Sequence, residues 1–452
     1  MSTAIENRYL VGNFAPVKDE VTATDLSVEG AIPKELNGRM LRNGPNPIAP
    51  DPAAYHWFTG DGMLHGVELR DGKAASYGNR WVRTDQAIAL LGEDPIPGQP
   101  DDVFPVGSSV ANTHVVAHAG KIFALVEVCL PTQVRPDLST VGRYDFGGKL
   151  RSAMTAHPKV DPVTGEMLFF GYDPFGPPWL RYHVVNAEGE LVRSEDIDIK
   201  GPSMVHDFAI TERNVVFLDL PVVFDFDLVG KQPFPAEWKP DYGARVGVMP
   251  REGGNADVKW FDVEPCYVFH PMNAYDDNGN VVIDVARHPK MFATDIYGPA
   301  EQPPTLDRWT IDLDAGKVIE ERLDDRPQEF PRVDDRQVGR RHRYGYTTSV
   351  GVDDDWIHFG GLLKHDLDAG STEMHTFGRG IHAGEGVFVT ASDSAAEDEG
   401  WVLSVVYDEG RDASELVILD ATDFSGAPVA TVQLPQRVPF GFHGSWVPDG
   451  AA

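Results

Sequence analysis

One local pattern recurs from end to end of this chain: an alternating run, a tight turn rich in Asp, Asn or Gly, and a second alternating run. It appears at Val67-Glu-Leu-Arg-Asp-Gly-Lys-Ala, Val160-Asp-Pro-Val-Thr-Gly-Glu-Met-Leu and Val185-Asn-Ala-Glu-Gly-Glu-Leu-Val. It returns at Tyr275-Asp-Asp-Asn-Gly-Asn-Val-Val and Ile311-Asp-Leu-Asp-Ala-Gly-Lys-Val. Asp, Asn and Gly tolerate the left-handed backbone that such turns demand, so each segment reads as a β-hairpin. Helical periodicity is scarce, with Asp85–Leu91 as one short candidate. Many short antiparallel hairpins over 452 residues favour an all-β propeller, whose sheets leave only short protected edges. The repeat lies in the hairpin pattern and not in sequence identity, so it does not count the blades. No linker interrupts it, and residues 1–452 read as a single domain.

Composition narrows the function classes. Hydrophobic residues make up 42% and charged residues 24%, the proportions of a soluble globular protein with ample core. The formal net charge is −31, from 70 acidic and 39 basic residues. Such a surface repels phosphate backbones and anionic headgroups, which argues against nucleic-acid binding. Any docking on a membrane has to rest on an apolar patch instead of charge. Cys129 and Cys266 are too few for a disulfide framework or a thiolate metal cage. No basic segment followed by an apolar one opens the chain, and no apolar run approaches 18 residues, so a cytoplasmic protein is expected.

Four of the 15 histidines stand in distinctive settings: Thr155-Ala-His157-Pro-Lys, Met204-Val-His206-Asp-Phe, Val268-Phe-His270-Pro-Met-Asn and Gly441-Phe-His443-Gly-Ser-Trp. Intervals of 49 and 64 residues separate the first three, and the last interval is about three times as long. The set fits one ligand per blade with two blades skipped, at roughly 60 residues per blade. Inner strands of a propeller converge on its axis, so ligands distant in sequence can meet there. Imidazole binds Fe, Zn, Cu and Ni well, and four neutral ligands leave the full charge of a divalent metal in place. Taken singly, each of these residues reads as an ordinary structural histidine; the foursome suggests a metal without choosing one.

Other chemistries find little support. The chain has no His-Glu-x-x-His pair, Cys-x-x-Cys, Gly-x-Ser-x-Gly elbow or Walker loop. Gly378-Arg-Gly-Ile-His-Ala matches a dinucleotide fingerprint formally, but no strand–turn–helix unit surrounds it, and it reads as a turn.

Taken together the motifs resemble the carotenoid cleavage oxygenases over almost the whole chain. Gly12-Asn-Phe-Ala-Pro-Val, Arg42-Asn-Gly-Pro-Asn-Pro and His56-Trp-Phe-Thr-Gly-Asp-Gly-Met-Leu-His look like the family's N-terminal signatures. The segments beginning at Thr155, Val205 and Val438 are similar to its metal-bearing segments, in order and spacing, with a flavour of the plant-type dioxygenases and their bacterial relatives. The resemblance implies a seven-bladed β-propeller with short helices and loops capping one face. It implies one Fe(II) on His157, His206, His270 and His443, with Glu127, Glu329 and Glu385 as carboxylates behind three of the four. An acceptor on the far ring N–H fixes the tautomer and aim of a ligand imidazole.

The implied reaction is dioxygenase cleavage of a carbon–carbon double bond to two carbonyl products, from an apolar alkene and O2. Phenol-cleaving relatives of the lignostilbene and isoeugenol group carry a Lys just before the glutamate that Glu127 matches; this chain has Val126. They also carry a Tyr near the segment 92–106, which here has none. Both departures favour a carotenoid or apocarotenoid. Phe58, Val126 and Phe269 are expected to line the substrate tunnel, with Trp57, Phe104, Phe175, Trp179, Phe224 and Phe226 as further aromatic candidates. The alternatives are an aryl-alkene oxygenase giving aromatic aldehydes, an isomerase or hydrolase on the same scaffold, and a metal-free propeller acting as a binding module. The oligomeric state is not legible.

Overall fold

The acidic turns fold as their residues dictate. In the computed structural model, which describes residues 7–103, 109–298, 301–353 and 356–451, Asp71 and Gly72 take φ values of 50° and 74°. They join strands Gly62–Arg70 and Lys73–Trp81. Asn278 and Gly279, at 50° and 91°, join Tyr267–Asp277 to Asn280–His288. Positive φ at both central positions gives the turn twist that matches two right-twisted strands. The other three turns likewise close antiparallel pairs. Asp85–Leu91 is the α-helix read from the sequence: Thr84 caps it by accepting the Ala87 N–H, and Gly92 ends it at φ 71°.

The strands form seven sheets of four or more strands among the described residues, besides one two-stranded ribbon. They are the blades of a seven-bladed β-propeller. The chain is organised as two compact units, Ser152–Met374 and the remainder. Four sheets belong mainly to Ser152–Met374. They run from Lys159–Val160 to Leu191–Ile197, from Ala209–Ile210 to Lys259–Asp262, from Tyr267–Asp277 to Lys317–Asp324, and from Gln328–Arg332 to Ser371–Thr376.

The other unit holds three sheets, and two of them join early to late segments. Gly444–Pro448 pairs antiparallel with Gly38–Pro45, and Val28–Gly30 pairs with Ala430–Gln433. Between these two sheets Leu36, Met40, Leu69, Tyr77, Leu403, Leu416 and Ile418 form one buried cluster. Each such aliphatic side chain contributes about 1.5–3 kcal/mol on burial. A Cβ on Gly44 would lie 2.7 Å from the Cα of Gly441, so the segment before His443 runs against the Arg42-Asn43-Gly44 strand without room for a methyl group.

Candidate metal centre

Three of the four histidines lie at the start of successive sheets in Ser152–Met374. His157 precedes Lys159–Val160, His206 precedes Ala209–Ile210, and His270 lies within Tyr267–Asp277. The Thr155 hydroxyl ties the first two together, accepting the His157 backbone N–H at 3.1 Å and donating to the His206 carbonyl at 3.3 Å. At His270 the pairing with the next strand shifts register on both sides of Pro271. Proline has no N–H to give to the ladder, and the bulge re-aims the residue before it.

The three rings converge through the same atom. The Nε2 atoms of His157 and His206 are 3.0 Å apart, and those of His206 and His270 are 3.2 Å apart. Metal–imidazole bonds of 2.0–2.1 Å place neighbouring nitrogens about 3.0 Å apart on an octahedron and about 3.4 Å apart on a tetrahedron. Spacings of 3.0 and 3.2 Å fall between these two values and suit neighbouring ligands on one ion, and a set of neutral imidazoles suits a divalent transition metal. Ring nitrogens of His157, His206, His270 and His443 all lie within 4.8 Å of one another.

Glu329 holds the far side of His270. Its Oε2 accepts from His270 Nδ1 at 2.6 Å, its Oε1 from His288 Nε2 at 3.1 Å, and the Phe330 backbone N–H also donates to it. Burial alone would raise its pKa, but the neighbouring His270 and His288 and their hydrogen bonds hold it well below the usual carboxylate range. An ionised carboxylate only accepts, so His270 must carry its proton on Nδ1 and present the Nε2 lone pair. The strand is shaped for this: pairing shifts between Glu329 and Arg332, and Phe330 takes φ 52°, a left-handed backbone that is rare for a bulky side chain. The Phe330 ring in turn stacks on His270 with centroids 5.6 Å apart.

His443 is fixed by the Arg42-Asn-Gly motif and by Glu385. The Asn43 N–H donates to the His443 carbonyl, the His443 N–H donates to the Thr113 carbonyl, and the Asn43 amide donates to Ala111 and His114. Glu385 accepts from His443 Nδ1 at 3.0 Å and from the Gly444 N–H at 2.8 Å. Glu329 precedes the bulge of one skipped sheet, and Glu385 lies between two strands of the other. Both of these skipped sheets thus supply a carboxylate that accepts from one of the four imidazoles. Arg42 is buried beside Glu385; burial lowers its pKa to about 10, with Glu385 pulling it upward.

Glu127 follows the strand Lys121–Leu125 and is half-buried, immediately before Val128 at φ 58°. Among the tunnel candidates, Phe269 packs edge-on against His206 with centroids 5.0 Å apart. Phe58 and Val126 are half-buried in the other unit, with Phe58 edge-on to Phe442 at 5.8 Å. Trp57 is buried among Tyr9, Phe14, Phe440 and Phe442. Phe175 and Phe226 stack on each other at 4.6 Å as exposed rings, Phe224 and Trp179 are half-buried, and Phe104 lies outside the described residues.

Sequence reasoning passed over Phe330, His288 and the Asp207–Lys159 pair. Asp207 is buried, with Lys159 Nζ 2.8 Å from its Oδ1 and 3.0 Å from its Oδ2. Its pKa is raised by burial, against the pull of Lys159 and His270. Both residues lie inside the quoted histidine motifs, so position beside a ligand was the signal available.

A propeller whose converging imidazoles are backed by buried carboxylates presents a group that could hold a metal ion. Residues 14–448 match the family described as retinal pigment epithelial membrane protein. The chain is 44% identical to a carotenoid cleavage oxygenase of Mycobacterium tuberculosis, over 98% of each chain. Lignostilbene dioxygenase of Pseudomonas brassicacearum superposes with a TM-score of 0.89 at 30% identity, covering 99% of this chain and 100% of that one. A Synechocystis apocarotenoid oxygenase variant superposes at 0.85 with 29% identity, covering 96% and 97%. The chain belongs to this carotenoid oxygenase family, a family of non-haem iron dioxygenases. No helix among the described residues is long and apolar enough to cross a membrane.

Proposed function

We propose that this chain is an Fe(II)-dependent dioxygenase that cleaves a carbon–carbon double bond of a carotenoid or apocarotenoid, giving two carbonyl products. His157, His206, His270 and His443 hold the metal, Glu127, Glu329 and Glu385 support the ligands, and residues 1–452 act as one catalytic domain. The observation that carries the reading is the convergence of the imidazole Nε2 atoms with buried carboxylates on the far sides of His270 and His443. Relatives named for carotenoid and apocarotenoid oxygenation favour the substrate class.

Held by these four histidines, Fe(II) would supply the electrons for reaction of dioxygen with an alkene. One alkene and one O2 account for both carbonyl groups, so no side chain is required as acid or base. The protein's own work is positional. Glu329 and Glu385 keep two ligand rings in the Nδ1–H tautomer, while Phe330 stacks on His270 and Phe269 packs edge-on to His206, placing apolar surface beside both rings.

Phe58, Val126 and Phe269 line the alkene's path. Val126 offers no ammonium to hold a phenolate and needs no partner when a polyene covers it. A long polyene gains roughly 25 cal/mol for each Å2 of apolar surface buried, which serves binding without polar anchors. The test compares kcat/KM of Fe(II)-loaded protein on carotenoids and apocarotenoids against resveratrol and isoeugenol, with products identified by mass. The polyenes should win. A tenfold or greater advantage for the phenolic alkenes would transfer the assignment to the lignostilbene type.

A further inference from the structure

His270 and His443 each show a glutamate on Nδ1, whereas His157 faces a carboxylate of a different kind. Asp207 Oδ2 lies 3.9 Å from His157 Nδ1, beyond direct hydrogen-bond reach but well within electrostatic range. Three features mark this carboxylate as built into place. It is 2% exposed, its Oδ1 accepts the Phe208 N–H at 2.6 Å, and Lys159 Nζ bridges both its oxygens. The lysine comes two residues after His157 and the aspartate immediately after His206, so the ion pair clamps one ligand segment to the other. Lys159 also lies over the Phe208 ring at 6.0 Å.

We propose that Asp207 is a positioning residue for the metal centre, orienting His157 through its charge. The inference rests on the reading that His157 is a metal ligand. A buried anion facing Nδ1 favours the orientation in which Nδ1 carries the proton and Nε2 points to the metal. It also lowers the cost of gathering a dication there. Lys159 limits that effect, because it neutralises part of the charge the metal would otherwise feel. The two partners therefore act on metal affinity in opposite directions, although both contribute to one ion pair.

The experiment measures metal affinity by chelator competition, with Fe(II) under anaerobic conditions and with Co(II), whose visible absorption reports the ligand field. It uses the full chain, and the melting of metal-free protein is recorded alongside. Asp207→Asn should weaken binding about tenfold, the lower end of the 10- to 100-fold cost of losing an outer partner, and should shift the Co(II) bands. Lys159→Met should leave affinity equal or higher. A purely structural ion pair would weaken affinity in both variants alike, and that outcome overturns the proposal. Native affinity and a native Co(II) spectrum in D207N overturn it as well. Should D207N fail to fold, K159M decides alone, a tenfold loss counting against the proposal. His157→Ala separates the two readings: native metal binding in H157A refutes the ligand assignment itself, whereas loss in H157A with no change in D207N refutes only the role of Asp207.

Discussion

Replacing Glu329 by Gln keeps the shape of the side chain and removes its charge at the most tightly bound point of the centre. The carboxylate accepts from His270 at 2.6 Å, from His288 at 3.1 Å and from the Phe330 N–H, with 6% of the residue exposed. Hydrogen bonds to charged groups contribute about 1.5–3 kcal/mol and neutral ones about 0.5–1.5 kcal/mol. The His270 bond alone therefore loses about 1–1.5 kcal/mol, or roughly tenfold in metal affinity at 1.4 kcal/mol per decade. An amide also offers one acceptor where two rings now donate. If its NH2 turns toward His270, that ring must move its proton onto Nε2, and the loss approaches about a hundredfold. Chelator competition on anaerobic E329Q measures the effect, with steady-state turnover on an apocarotenoid as the second readout. The metal-free protein should still fold, because His288 can change tautomer to meet the amide. Native affinity together with native kcat would refute the reasoning, since a hydrogen bond this short and this buried would then transmit nothing to the ligand.

His206→Ala and His443→Ala should each strip the metal and abolish turnover; metal analysis finding full iron and full activity in both would remove them from the ligand set. Glu385→Gln should lose metal affinity within the same 10- to 100-fold range, read by the same competition. Gly44→Ala drives a methyl group to 2.7 Å from the Gly441 Cα, which should cost about 1–3 kcal/mol as overpacking does; a melting curve identical to the parent would show that the strands simply part. Burial, with Arg42 and Arg437 nearby, holds His65 down at about 3, and burial with Arg181 nearby does the same for His183. Unfolded histidines take up protons near pH 6.5, so the stability these neutral rings support is complete above that pH. It drains as pH falls toward 3, at up to about 1.4 kcal/mol per pH unit for each. Melting of metal-free protein from pH 7 to 4 should show the decline, and H65Q should flatten it; an unchanged slope in H65Q would count against this source.

The hairpins were legible because their turns carry residues with a specific backbone tolerance: Asp71-Gly72 and Asn278-Gly279 announce positive φ by their identity. The four histidines were legible as a spaced foursome, whose ring nitrogens the fold brings within 4.8 Å of one another, and the family motifs pointed to Glu329 and Glu385, which accept from His270 and His443. What stayed hidden depends on atoms that only the fold brings together. Phe330 takes a left-handed backbone that its side chain does not advertise, and the register shifts that aim His270 and Glu329 have no signature beyond Pro271 and Pro331. Asp207 was one carboxylate among 70 acidic residues. Its burial against Lys159 follows from one sheet start lying beside the next, which no spacing rule reports. The tunnel aromatics could not be sorted in advance for the same reason: Phe269 against His206 and the exposed Phe175–Phe226 stack look alike in sequence.

The pairing of Gly444–Pro448 with Gly38–Pro45 has a consequence for how the protein is made. A ribosome delivers the earlier strand about 400 residues ahead of its partner, which at 5–20 residues per second is a wait of roughly 20–80 s. Throughout that time the 8-residue, largely buried strand keeps one row of backbone donors and acceptors open to any other extended chain. His443, one residue before the closing strand, is the last imidazole of the four to be synthesised. With the proposed ligand set, a growing chain can offer three imidazoles at most, so metal loading would belong after synthesis. The nascent protein is then most exposed to aggregation just before the same few residues supply both the missing strand and the missing ligand.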